Sequence, residues 1–138
     1  MSEYVKLFKL RSPNHLKEKL AARYFYENPS PFIIPILKVE SNRYFVAEGT
    51  PITFCKKLGH WLEDLWLWLR TEEWSHNDFN HRNIVAYQGS YRLIDFETWD
   101  FSGSTFADWD AICSLHRKVS KHILNSKDSS PGTYLSQS

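Results

Sequence analysis

The sequence predicts an α+β fold: a small sheet carrying one helix, then a mostly helical part interrupted by a polar loop and a β-hairpin. Three observations lead there. Apolar residues make up 42% of the chain and aromatic residues 16%, with six Trp among them, which is the composition of a chain that folds. The 138 residues are enough for one domain with a small but real core. Period-two and helical patterns are both present along the chain, with turn chemistry between them.

Tyr4 to Leu10 alternates enough to read as a strand. Ser12 is a predicted N-cap and Pro13 a first helical residue, opening a helix that runs to about Tyr26 and is ended by Asn28-Pro29-Ser30-Pro31. Two strands follow, Ile33 to Val39 and Arg43 to Ala47, joined at Glu40-Ser41-Asn42, and Pro35 marks the first as an edge or irregular strand. Gly49-Thr50-Pro51 breaks the pattern and reads as a linker. The chain reads helical from about Ile52, and Leu58, Trp61, Leu62, Leu65, Trp68 and Leu69 make Gly59 to Arg70 a strongly amphipathic helix. Ile84 to Tyr87 and Tyr91 to Ile94 are β-prone runs around a Gln88-Gly89-Ser90 turn, a hairpin pattern. A loop from Glu97 to Ser104 leads to a last helix over about Thr105 to Leu124, and 125–138 reads as a disordered polar tail.

Net charge is +1 with both signs mixed, so no basic patch calls for nucleic acid. Cys55 and Cys113 are far apart and lack a CxxC context, the pattern of free thiols in a reducing compartment. No signal-peptide core and no bilayer-length apolar run is visible in the sequence, and the expectation is a cytoplasmic protein without membrane contact.

The chemistry concentrates in His76-Asn77-Asp78, then four residues, then Asn83, with Asp95 twelve residues on, across the hairpin. The hairpin brings Asn83, at its start, beside Asp95, at its end. Such a set suits phosphoryl transfer, which needs a carboxylate beside the acceptor hydroxyl and oxygen ligands for Mg²⁺. Asp78 takes the first role and Asn83 and Asp95 the second. His76, Asp78 and His81 also contain metal-ligand types, but no further Cys/His set stands at zinc-finger spacing.

Ser75-His76-Asn77-Asp78 and Leu93-Ile94-Asp95-Phe96-Glu97 resemble the protein-kinase-like superfamily, in its choline/ethanolamine kinase and aminoglycoside phosphotransferase branch. Glu97, where protein kinases carry Gly, favours that branch. The resemblance is specific over about residues 75–112. It implies a minimal kinase-like fold, with residues 1–49 as a reduced N-lobe and 50–124 as a reduced C-lobe, the strands of the Gly-rich loop being absent. It implies ATP and Mg²⁺ as cofactors. Lys6, with Lys9 as competitor, is the phosphate-contacting lysine, and Glu18 is its partner on a helix face shared with Ala21, Ala22 and Phe25. The backbone from Glu48 to Thr50 receives the adenine edge. His76 orders the catalytic loop from within the core. Asp110 holds that loop's backbone, with Asp108 as the alternative. Glu97 touches metal through water or holds its loop. Trp61, Trp66, Trp68 and Trp74 read as packing rather than a cation cage.

The function expected is ATP- and Mg²⁺-dependent phosphotransfer to a hydroxyl, more of a protein partner than of a free small molecule. Trp66 and its neighbours on the amphipathic helix would suit a partner or a self-dimer. The alternative is a kinase-like binding module that acts by occupying a macromolecule.

Overall fold

The computed structural model describes residues 3–7, 15–101 and 106–125. In chain order the elements are β1 (Glu3–Leu7), α1 (His15–Glu27), β2 (Ile36–Val39), β3 (Arg43–Ala47), α2 (Lys56–Glu72), a short 3-10 turn (His81–Asn83), β4 (Ile84–Tyr87), β5 (Ser90–Leu93) and α3 (Phe106–Asn125). The fold is α+β. The predicted helix start at Ser12-Pro13, Lys9, the Ser102-Gly103-Ser104 loop and the tail from residue 126 lie outside the described residues.

The first three strands form an antiparallel sheet in the order β1-β3-β2. Strand β3 is central, and its alternation places Tyr44 and Val46 in the core with Phe45 half-buried between them. Helix α1 packs against β2 through a face of Glu18, Ala21, Ala22 and Phe25, all buried. The two alanines let the helix approach closely and bring a carboxylate in with it.

Strand β2 is shorter than the sequence suggests, because Pro35 has no N–H for the ladder. Ile33 and Ile34 leave the sheet and meet β5 instead: the Ile34 N–H donates to the Leu93 carbonyl (3.1 Å) and the Leu93 N–H to that of Phe32 (2.7 Å). The pairing of β2 with β3 also shifts register between Ile36 and Lys38.

Strands β4 and β5 form a two-stranded antiparallel ribbon with Ile84 opposite Leu93 and Tyr87 opposite Ser90. The turn is therefore the two residues Gln88 (φ 47°) and Gly89 (φ 79°), the left-handed pair that a tight hairpin requires. Ser90 belongs to the strand rather than to the turn.

Helix α2 begins a turn before the periodic stretch, since Lys56 and Lys57 lie outside its apolar stripe, while residues 52–55 are not helical. Leu58, Trp61, Leu62, Leu65 and Leu69 are buried along one face. The helix ends with Glu73 left-handed at φ 60°, its N–H on the Leu69 carbonyl. The Trp74 N–H reaches the same oxygen at 3.1 Å, so the Leu69 carbonyl takes both amides that follow the helix, one of them by the six-residue bond of a Schellman turn. Helix α3 packs on α2 and buries Asp108, Ile112, Leu115, Val119 and Ile123, a spacing of three and four. Among the described residues no helix is long and apolar enough to cross a membrane.

One core joins these parts. Trp99 sits at its centre, within 5.2–6.5 Å (ring centroids) of Phe25, Trp68, Trp74, His76 and Phe96. Trp61 is buried and Trp68 half-buried in this packing, while Trp66 lies against Trp109 at 4.8 Å between α2 and α3.

Candidate functional site

The loop after α2 enters the core at Trp74, Ser75 and His76, all buried, and returns to the surface at Asn77 and Asp78. Two things turn it. Asn77 is left-handed at φ 70°, a conformation that Gly and Asn adopt more readily than other residues. The Asp108 carboxylate then accepts from two successive amides, His76 N–H at 3.0 Å and Asn77 N–H at 2.9 Å. Asp108 is almost fully buried, whereas Asp110 is exposed. The loop-holding role assigned to Asp110 is therefore corrected to Asp108. The helical phase of α3 sets this, for 108 lies on the stripe of Ile112, Leu115 and Val119 and 110 lies on its far side.

Past Asp78 the loop is wired to itself. The Asn83 side-chain amide donates to the Asp78 carbonyl (2.8 Å), and Asn80 does the same at 3.1 Å. The Asn80 side-chain oxygen also accepts the Arg82 N–H (2.9 Å), capping the 3-10 turn. With its nitrogen committed, Asn83 keeps its oxygen for an acceptor role. The Asn83 carbonyl accepts from Ile94 N–H at 2.9 Å, so the two ends of the hairpin are joined next to Asp95.

Asp95 is also left-handed, at φ 71°. Its backbone carbonyl accepts from the Trp99 indole at 3.0 Å. Glu18, Asp95 and Glu97 each place a carboxylate oxygen within 4.8 Å of the others. Glu18 accepts a hydrogen bond from the Tyr44 hydroxyl at 3.0 Å. Burial, and then the charge of Glu18, push the Tyr44 phenol far above its usual range, with Asp95 and Glu97 adding to the effect. Tyr44 thus stays neutral and donates. Carboxylates this close favour a cation between them, and the oxygens of Glu18, Asp95 and Glu97 are ligands of the type that a hard cation takes.

His76 sits among these acids. Burial pushes its pKa below the ordinary value, against the opposing charges of Asp108, Asp95 and Asp78. The ring is neutral at pH 7. Its Nδ1 accepts from the Asp78 N–H at 3.3 Å, while Nε2 is buried without a well-formed partner. It stacks edge-on to Phe79 and Trp99.

Beside this cluster lies a cavity of about 210 Å³ lined by Ile34, Tyr44, Ala47, Glu48, Val85 and Asp95, among others. Glu48 and Gly49 form its edge. The Thr50 N–H is already given to the Ala86 carbonyl (2.9 Å) and the Ala86 N–H to that of Thr50 (2.8 Å), so only the peptides of Glu48 and Gly49 remain of the expected Glu48–Thr50 edge. Gly49 is required for this approach, because a Cβ there would lie 2.5 Å from Val85 Cγ2 and 2.9 Å from the Ala86 oxygen.

Of the residues singled out from sequence, the structure brings His76, Asp78 and Asn83 onto one loop, and Asp95, Glu97 and Glu18 into one cluster beside Glu48. Lys6 lies on β1 opposite Tyr44 in the register, and its side chain is outside the described residues. Sequence reasoning missed Tyr44, Asn77 and Thr98. The alternation of β3 carried a signal for Tyr44, and nothing periodic marked Thr98. No protein-family model matches the chain, and no curated protein matches it by sequence.

Proposed function

We propose that the chain is a compact protein-kinase-like phosphotransferase that uses ATP and Mg²⁺. The observation that carries this reading is a convergence. One loop holds Asp78 and Asn83, a hairpin returns Asp95 to their side, and a cavity edged by Glu48 and Gly49 opens beside Asp95.

In this reading the apolar cavity takes adenine, with the peptides of Glu48 and Gly49 at its edge. Asp95 and Asn83, with Glu97 nearby, would hold Mg²⁺, which when bound neutralises phosphate charge. Lys6, the register partner of Tyr44 on β1, would be the phosphate-contacting lysine, with Glu18 as its partner. Asp78 orients the acceptor hydroxyl and receives its proton. Its exposure suits a hydroxyl presented on a macromolecule better than a small alcohol needing enclosure.

Calorimetry with ATP, with and without Mg²⁺, tests the nucleotide half. Wild type should bind only weakly without the metal, and Asp95→Asn should lose about tenfold or more of the metal-dependent affinity. Radiolabel transfer from ATP tests the chemistry: Asp78→Asn should keep nucleotide binding and lower transfer about 10²-fold or more. Equal affinities with and without metal, in both proteins, would count against the reading. Binding without any transfer would leave the binding-module alternative.

A further inference from the structure

The peptide joining His76 to Asn77 is held at both of its polar atoms. Its N–H, on Asn77, donates to Asp108 (2.9 Å), and its C=O, on His76, accepts from the Thr98 hydroxyl at 2.6 Å. The Asn77 side chain answers by donating to the Thr98 carbonyl at 2.9 Å and to the Ser75 hydroxyl at 3.2 Å. The neighbouring residues are laddered as well, with Ser75 and Asp100 exchanging both backbone bonds at 3.0 Å.

This peptide precedes Asn77 at φ 70°. Rotating it about its own axis would exchange the directions of N–H and C=O and return Asn77 to the negative φ that residues other than glycine prefer. Nothing in the covalent chain forbids that flip. The left-handed turn persists because the surroundings hold it: Asp108 takes the N–H and Thr98 takes the C=O. After the flip the His76 carbonyl would face the Asp108 carboxylate and the amide would lose its acceptor. The Asp78 N–H donates to the His76 ring at 3.3 Å, so the held peptide lies between the two residues whose bond seats Asp78.

The two holders come from different places. Asp108 belongs to α3 and is a fixed post. Thr98 lies three residues after Asp95, in the segment whose start is tied by the Trp99 indole to the Asp95 carbonyl. The latch on the catalytic loop is thus carried by the metal-site loop. We propose that Thr98 is a positioning residue: its hydroxyl latches the His76–Asn77 peptide and so couples the orientation of Asp78 to the seating of the Asp95 loop. This rests on the phosphotransfer reading for its functional meaning, while the latch itself is a statement about backbone conformation. Thr98 touches neither nucleotide nor acceptor in this proposal.

The test compares Thr98→Val, which keeps the shape and loses the hydroxyl, with Thr98→Ser, which restores a hydroxyl. Amide resonances of Asn77 and Asp78 in ¹⁵N-labelled full-length protein report the flip directly. In Thr98→Val they should broaden or double, and in Thr98→Ser they should match wild type. Transfer from Mg-ATP to water, used because the acceptor is unidentified, should fall about tenfold in Thr98→Val, as for one lost hydrogen bond. Affinity for Mg²⁺ with a non-hydrolysable ATP analogue should stay within about twofold, and Thr98→Ser should recover the rate. If wild type hydrolyses no ATP, water is not its acceptor, and the resonances alone decide the latch. Should Thr98→Val not fold, Asn77→Ala, which penalises the left-handed turn, should give the same doubling. Sharp, wild-type Asn77 and Asp78 signals in the folded Thr98→Val protein, or sharp, single signals from residues 77 and 78 in Asn77→Ala, overturn the proposal. An equal loss of nucleotide affinity and rate, uncorrected by Ser, overturns it as well.

Discussion

Asn77 and Asp95 are two of only four non-glycine residues at positive φ among the described residues, Asp95 within the carboxylate cluster and Asn77 on the neighbouring loop. The other two, Glu73 and Gln88, end a helix and make a hairpin turn. Backbone strain at Asn77 and Asp95 is offset by bonds to buried acceptors and donors, which is how such conformers persist. His76 beneath them gives a pH prediction. Its native pKa lies below the ordinary 6.5 because of burial. As pH falls through about 6.5, the unfolded chain takes up a proton that native His76 resists. Its contribution is therefore complete above that pH and is lost below it, down to the native pKa. Thermal midpoints from about pH 7.5 to about pH 5 should fall more steeply for wild type than for His76→Gln. Parallel curves would show that His76 is not held neutral. Tyr44 gives a second prediction. Tyr44→Phe removes a donor from buried Glu18 and should cost about 1–3 kcal/mol in urea unfolding. An unchanged midpoint would mean that the hydroxyl contributes nothing to holding α1 on the sheet.

Among the elements, β4 closely approaches the segment that follows β3. Gly49 has no room for a methyl beside Val85 and the Ala86 carbonyl, so Gly49→Ala should destabilise by about 1–3 kcal/mol. Adding Val85→Ala should recover part of that loss, because it removes Cγ2, the closest of the three atoms at 2.5 Å, and leaves Val85 Cβ and the Ala86 oxygen. A double variant no better than the product of the singles would place the strain elsewhere. The end of α2 offers a gain instead. Glu73 takes the left-handed position that glycine fills without a Cβ penalty. Glu73→Gly should raise stability by about 0.5–1 kcal/mol, read from chemical denaturation. A loss of stability would show that Glu73 makes contacts worth more than its strain.

For the whole molecule, Trp99 is the keystone shared by core and site. Its ring packs against α1, α2 and the loop of His76, and its indole holds the Asp95 carbonyl. Trp99→Ala should cost about 3–5 kcal/mol, a large part of the total stability expected of a domain this size. Leu67, 60% exposed on α2, is the control, and Leu67→Ala should change stability by less than about 0.5 kcal/mol. Similar midpoints for the two variants would dissociate site and core. The loops of the polar cluster are thus packed on the same aromatic rings that fill the interior.

Much of this was legible in the sequence because it is local. Leu58 to Leu69 recur at helical spacing, Arg43 to Ala47 alternate, and Gln88-Gly89-Ser90 carries turn chemistry; each signal arises within a few residues and survives in the fold, with Ser90 passing to the strand. The grouping of Asn83 with Asp95 followed from the hairpin between them, and the inward face of Glu18 from the two alanines beside it. Even the choice of Asp108 over Asp110 was available in the phase of Ile112, Leu115 and Val119. What only the tertiary structure decided was contact across distance. Tyr44 reaches Glu18 over a separation of 26 residues, Thr98 reaches His76 over 22, and Asp108 reaches His76 and Asn77 over 32 and 31. Such bonds join a side chain to a group on another segment, in loops that have no period. Their partners are chosen by how the helices and the two sheets pack, and a pattern of nearest neighbours along the chain holds no record of that choice.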